Sequence, residues 1–302
     1  MNKKIIVYLI LSMFLITTIN AIGINEDLKK SDEIKLINPL PFGFNSYIEL
    51  NYDSSVLEEP IDPRGGVRNV DLNLKFWTDV PKDFLWFIPS FWRNQILFGN
   101  QMGTADIYLS LDNIPSWGTF SIAPSRLIME ITDCDNKAER WATIQISLNV
   151  NAPAYQTHNL IINTDADKEK FLNPTNEQIE MDITPGWIHY INVEIDNQWI
   201  EILSGNSSNI TIQITNNGNG LQMIEGIIHN PYNEPPMELS LDPHIIFTHV
   251  NESKNMTLEI QTTYQPYINR KYTIEIELYI WNPYTGIKYE SYYLTLGIHI
   301  HS

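Results

Sequence analysis

Two stretches of the sequence carry the same strand pattern in the same order, which constrains the chain to a pair of like modules. Asn69, Val70, Leu72, Leu74 and Phe76 alternate behind Gly65-Gly66, and Asn209, Ile210, Ile212 and Ile214 alternate behind Gly205. A side-chain period of two is that of a half-buried strand. Both stretches close alike. Ile144, Ile146, Leu148 and Val150 lead to Pro153 and a strand over His158–Ile162, while Leu258 and Ile260 lead to Pro266 and a strand over Tyr272–Ile280. The first version is longer by about 27 residues, and the surplus falls near Thr78–Thr104.

At 302 residues the chain accommodates two domains of ordinary size, each able to bury its own core. Val, Ile, Tyr, Phe, Trp and Thr dominate the patterned segments. No stretch after residue 30 keeps an apolar period of 3.6 over three turns, so the expected class is all-β. Strands spaced by about 8–12 residues, with Gly, Pro and Asn between them, predict two tandem antiparallel β-sandwiches. The clearest local signal is a hairpin, Tyr272–Trp281 and Ile287–His299, around Asn282-Pro283-Tyr284-Thr285-Gly286.

The net charge of −17 is spread along the chain rather than blocked. Nucleic acid is excluded as a partner, because it demands a clustered basic face. Asn2-Lys3-Lys4 ahead of the apolar run Ile5–Ile19 has the form of a signal peptide, with Ala21 near the expected cut. The run is shorter than the roughly 20 residues of a membrane span, and no later segment is apolar enough to cross a bilayer. An extracellular or cell-surface location is therefore expected, reached through a cleaved signal or a retained N-terminal anchor. Cys134 is the single cysteine, which rules out an intrachain disulfide, and its neighbours Asp133 and Asp135 disfavour a thiolate.

The predicted organisation is a signal peptide or N-terminal anchor at 1–21, a tether at 22–40, a first sandwich at 41–164 with an aromatic insert at 78–104, an acidic linker at 165–186, and a second sandwich at 187–302. A short helix fits within the linker, broken at Asn173-Pro174. The first half reads Ile107–Asn113, Pro115-Ser-Trp117, Thr119–Pro124, Ile144–Leu148 and Asn151-Ala-Pro153-Ala-Tyr155. In this order it resembles the Ig-like CARDB (cell-adhesion-related) modules of prokaryotic exported and surface-layer-associated proteins. The second half is similar through Gly205–Asn219, Leu239–Pro243 and Leu258–Tyr272. The resemblance implies Ig-like sandwiches that act as spacers, adhesive beads or binding accessories, with no catalytic residues. The insert departs from that pattern.

The insert holds Phe84, Trp86, Phe87, Phe91, Trp92 and Arg93, an aromatic density unusual for a loop. Such a segment either packs on its own sandwich or forms a contact surface, and Trp and Arg are common at the centres of interfaces. These six residues are the candidate binding site. Asn206, Asn209, Asn251 and Asn255 open Asn-x-Ser/Thr acceptors for glycosylation, all in the second half. Asn163, Asp165, Asp167 and Glu169 alternate oxygen ligands, but an EF-hand loop would need Gly at Lys168 and Glu at Pro174. His299 and His301 share a strand face at metal-ligand spacing without a third ligand. No nucleophile elbow, zincin helix, phosphate loop or dinucleotide fingerprint occurs.

The sequence thus predicts an exported, non-enzymatic cell-surface or envelope protein acting as an adhesion, scaffold or spacer module, with no cofactor. The partner expected is a protein or glycan on a cell surface, and membrane contact is confined to the N-terminal segment or the aromatic insert. Two alternatives follow from the same residues. One is an extracellular carbohydrate-binding accessory; the other is a surface-filament subunit assembled by strand exchange, for which Ile34–Leu40 is the N-terminal donor strand.

Overall fold

A computed structural model describes residues 44–79, 103–131, 136–167, 172–229 and 237–302. The signal segment, the tether with Ile34–Leu40, the aromatic stretch 84–98 and Cys134 lie outside the described residues.

The first sandwich pairs two four-stranded sheets. One has the order β1-β2-β6-β4 and the other β5-β3-β7-β8. Its strands are β1 (Ser46–Tyr52), β2 (Arg68–Thr78), β3 (Thr104–Asp112), β4 (Gly118–Ala123), β5 (Arg126–Glu130), β6 (Ala138–Leu148), β7 (His158–Ala166) and β8 (Thr175–Ile183). The alternation read from the sequence is the one observed: Val70, Leu72, Leu74 and Phe76 of β2 and Ile144 and Ile146 of β6 are fully buried between the sheets. Each such side chain contributes about 1.5–3 kcal/mol of burial free energy.

The second sandwich repeats this plan. One sheet has the order β13-β15-β11-β9 and the other β14-β12-β16-β17-β10. Its strands are β9 (Ile191–Ile195), β10 (Trp199–Leu203), β11 (Ser207–Asn216), β12 (Gln222–His229), β13 (Met237–Asp242), β14 (Ile245–Thr248), β15 (Ser253–Thr262), β16 (Asn269–Asn282) and β17 (Ile287–His301). Setting aside β10, strands β1 to β8 map one for one onto β9 and β11 to β17, position by position in each sheet. Both cis peptides, Ala123-Pro124 and Asp242-Pro243, fall in the same connection of the two modules. The aromatic surplus lies in the connection from β2 to β3, whose counterpart from β11 to β12 is the short turn Asn217–Leu221.

Two features depart from the expectation. The stretch expected as an acidic linker holds β8, which pairs with β7 along its whole length. Ile179, Met181 and Ile183 face the core while Gln178, Glu180 and Asp182 face solvent. On an edge strand outward carboxylates are tolerated and discourage further pairing. The segment therefore reads as polar although it is a strand. Asn163 and Asp165, which alternate as oxygen ligands in the sequence, stand on β7, and Asn163 Nδ2 donates to Asp112 Oδ2 at 2.6 Å. The second departure is β10, which lies parallel to β17 in sheets that are otherwise antiparallel. The turn after β9 carries the chain across the sandwich edge, where Gly297 N donates to Gln198 O and Ser204 N donates to His301 O. Gly297 leaves room for the Trp199 ring, which a Cβ there would strike.

Candidate functional site

The junction between the modules is built from turn chemistry. Asn216 and Asn219 stand in the run Asn216-Asn217-Gly218-Asn219-Gly220, and both are buried. Asn216 Nδ2 donates to Gly220 O and Thr248 O, and its Oδ1 accepts from Gly218 N, which fixes the turn. Asn219 reaches outward from it: Nδ2 donates to Ala152 O and to Gly186 O, each at 2.8 Å, and Oδ1 accepts from Ile188 N at 2.6 Å. One side chain of the second sandwich thus satisfies backbone groups of the first sandwich and of the connector. Buried backbone groups need such partners.

The connector is clamped from both sides. Ile61 N donates to Thr184 O, Gly186 N donates to Ile61 O, and Tyr155 N donates to Pro185 O at 2.9 Å. Trp187 Nε1 donates to Leu221 O, and its ring packs against His189 and Tyr289. Tyr155, at φ 55°, sets its ring 5.0 Å from that of Tyr284 and accepts from Asn282 Nδ2 at 3.1 Å. These hydrogen bonds and ring contacts join the connector to both sandwiches.

A second constellation covers the outer face of the five-stranded sheet. Period-two alternation puts Met223, Glu225, Ile227 and His229 of β12, Glu275, Glu277, Tyr279 and Trp281 of β16, Ser291 and Tyr293 of β17, and Phe247 of β14 on this side. Tyr293 lies directly opposite Glu277 in the register, and Tyr279 two residues along the same strand. Both phenols donate to the Glu277 carboxylate, Tyr293 to Oε1 at 2.8 Å and Tyr279 to Oε2. His229 Nε2 lies 2.8 Å from Oε2. To reach a carboxylate at the sheet surface, the Tyr293 ring must lean across the strands and the Tyr279 ring along them. Trp281 does likewise, its Nε1 donating to Glu225 Oε2 at 3.2 Å. Lys288 Nζ caps the Tyr279 ring 2.9 Å from its centroid.

Glu277 is 6% exposed. Desolvation pushes its pKa up, but hydrogen bonds from Tyr279, Tyr293, His229 and Ser291 outweigh it and hold the carboxyl at about 2. The bond to Glu277, reinforced by desolvation, pushes the Tyr279 phenol up to about 12. The carboxylate is permanently charged at neutral pH and saturated by donors. It therefore acts as a clamp for rings rather than as a base.

The candidate contact residues Phe84, Trp86, Phe87, Phe91, Trp92 and Arg93 fall outside the described residues, between β2 and β3. The four acceptor asparagines are all exposed. Asn209 on β11 and Asn255 on β15 stand on the outer face of the four-stranded sheet, opposite Glu259 and Gln213 respectively. Asn206 precedes β11, and Asn251 occupies the turn before β15 at φ 62°. This face carries Ser, Thr, Asn, Gln and Glu, whereas the opposite face of the module adds Phe247, Tyr279, Trp281 and Tyr293 to its polar residues. His299 and His301 have ring centroids 5.5 Å apart, but His299 Nε2 engages Asn269 Oδ1 at 2.7 Å. Among the described residues no three or more His, Cys, Asp or Glu side chains gather as a metal site.

No protein-family model matches the chain, and no curated protein matches it. Among solved structures it is distantly similar to β-rich proteins. The ASH/PapD-like domain 7 of human CEP192 shares 12% identity at TM-score 0.28, over 36% of this chain and 84% of that one. A Porphyromonas gingivalis W83 protein of unknown function shares 10% identity at TM-score 0.28, over 84% of this chain and 99% of that one. The S-layer protein SbsC, domains 1–6, shares 11% identity at TM-score 0.28, over 84% of this chain and 27% of that one. Overlaps this loose carry no argument about descent or role. The tandem sandwich fold rests on the strand pairing of the chain itself.

Proposed function

We propose that this chain is an exported, non-enzymatic cell-surface or envelope protein whose paired sandwiches serve as a rigid adhesion or scaffold element. The observation that carries the reading is the locked junction at Asn219 and the connector Thr184–Ile188. A flexible tether would suffice to link two independent binders, whereas a clamped connector fixes the distance and angle at which surfaces are presented. The resemblance to cell-adhesion-related modules agrees with this role, and so does the lysine-led apolar run at the N-terminus. The insert stands in the connection equivalent to the one through which the second sandwich receives the first. We assign Phe84, Trp86, Phe87, Phe91, Trp92 and Arg93 to contact with another surface on that ground. Labelling of intact cells that make the protein, with and without external protease, tests the location. Signal on intact cells, lost on shaving, is expected; signal released only by lysis would contradict it.

A second reading, carbohydrate binding, is favoured by the outer face around Glu277. Rings held in place by carboxylates form a platform whose ordering cost is met before binding. Sugars stack on such rings through their apolar faces. Asn209 and Asn255 lie on the opposite sheet, so glycans attached there would leave this platform open. Retention on insoluble polysaccharides, abolished by Tyr293→Ala with Trp281→Ala, is the expected result. Equal retention of the variant would exclude the platform.

A further inference from the structure

The parallel seating of β10 supplies what the histidine pair of β17 lacks in sequence. In that register Glu201 stands directly opposite His299, and Leu203 opposite His301. Ile200 and Ile202 turn into the core, so Glu201 shares the outer face of the sheet with both histidines. A carboxylate 98 positions away in sequence thereby joins two imidazoles spaced two residues apart. The backbone under them is pinned: Ser204 N donates to His301 O and Ser302 N donates to Ile268 O.

The ring of His299 is oriented by Asn269, whose Oδ1 lies 2.7 Å from Nε2. An amide oxygen only accepts, so Nε2 carries the proton, and in the neutral ring Nδ1 is left with its lone pair. That lone pair faces Glu201 Oε1 at 3.5 Å. Two electron-rich atoms so placed repel unless a proton or a cation lies between them. Zinc bonds of about 2.0–2.2 Å to nitrogen and oxygen set two ligand atoms about 3.3–3.6 Å apart at the tetrahedral angle. The separation at Glu201 fits that range. The 2.8 Å between His229 Nε2 and Glu277 Oε2 does not, and is an ordinary hydrogen bond. A ligating histidine held by a hydrogen bond at its other nitrogen is the usual arrangement around a metal.

We infer that His299 Nδ1, Glu201 and His301 take up a zinc ion that clasps β10 to β17. His299 and Glu201 already stand in range of one ion. His301, with its ring centroid 5.5 Å from that of His299, joins by rotation of its side chain, and Glu201, whose side chain is 63% exposed, is free to adjust. Water fills the fourth position. Lys271, paired with His299 on β16, carries a charge of like sign, but its Nζ lies over the Trp199 ring at 5.2 Å. The ion would tie the short parallel strand to the sheet edge at the point where one glycine and one tryptophan otherwise seat it. This role is independent of the scaffold and carbohydrate readings.

Calorimetric titration of the full chain, free of any polyhistidine tag, with zinc chloride alone tests the site, together with amide exchange with and without zinc. A single saturable zinc site is expected, weakened at least about tenfold by Glu201→Gln and by His301→Gln. Zinc is expected to raise exchange protection over Trp199–Leu203 in the wild type and to leave it unchanged in either variant. Two variants on different strands keep the test decisive if one folds poorly. Absence of saturable zinc uptake would overturn the inference and leave a proton as what joins His299 to Glu201. Uptake that survives both substitutions would also overturn it, because the ion would then sit on other histidines.

Discussion

Tyr293 donates its phenol proton to Glu277 Oε1 at 2.8 Å from the position directly opposite it on the neighbouring strand. A cross-strand pair normally contributes a few tenths of a kcal/mol. Here the carboxylate also takes Tyr279 and His229, so one acidic residue gathers rings from three neighbouring strands of this sheet face.

Glu277 makes stability depend on acid. Its carboxyl sits near 2 in the folded chain against an ordinary 4.5, so the unfolded chain takes up the proton more readily. The stabilisation is complete above about pH 4.5 and is lost as pH falls towards about 2. Glu277→Gln is expected to lower the melting temperature at pH 7 and to flatten its decline between those limits. Parallel acid slopes for variant and wild type would show that other carboxylates govern the acid limb.

Asn219→Ala removes the partners of Ala152 O, Gly186 O and Ile188 N at once. Leaving buried polar groups unsatisfied costs about 1–3 kcal/mol each, less where water enters. Chemical denaturation is expected to show the second module destabilised and the transition broadened as the modules uncouple. A change below about 0.5 kcal/mol would mean that the connector alone holds the junction.

Gly297→Ala drives a methyl group into the Trp199 ring. The expected consequence is release of β10 from β17, read as loss of amide-exchange protection over Trp199–Leu203, with β16 and the rest of β17 still protected. Protection retained across β10 would show that Trp199 has another place to go.

Trp86→Ser with Trp92→Ser separates the two roles open to the aromatic insert. As contact residues they are expected to leave thermal stability nearly unchanged and to reduce binding of the protein to cells or to its partner. A large fall in melting temperature would assign them to the core of the first sandwich, where each contributes about 1.5–3 kcal/mol by burial.

Much of the fold was legible because strand alternation is a local signal. The pattern of Val70–Phe76 and its twin Ile210–Ile214 placed β2 and β11, and Asn282–Gly286 placed the hairpin of β16 and β17. The strand β8 was hidden for a physical reason. Its inward set is Ile179, Met181 and Ile183, and its outward carboxylates gave it the composition of a solvated connector. The strand β10 could not be foreseen as a parallel partner of β17, because its seat depends on a glycine about a hundred positions away in sequence. Asn219 stands in a run of turn-forming residues, Asn216–Gly220, but its partners at Ala152 and Gly186 come from outside the turn. The alternation of β16 marks Glu277 only as outward-facing, since two of its donors, His229 and Tyr293, come from β12 and β17.

The rigidity of the junction is the claim from which the scaffold reading follows. Spin labels at Thr119 on the first sandwich and Glu259 on the second, in a chain with Cys134 replaced by Ser, measure it by pulsed dipolar spectroscopy. A single narrow distance distribution, broadened by Asn219→Ala, is the expected result. A broad distribution in the otherwise unaltered chain, the same with and without Asn219, would contradict it.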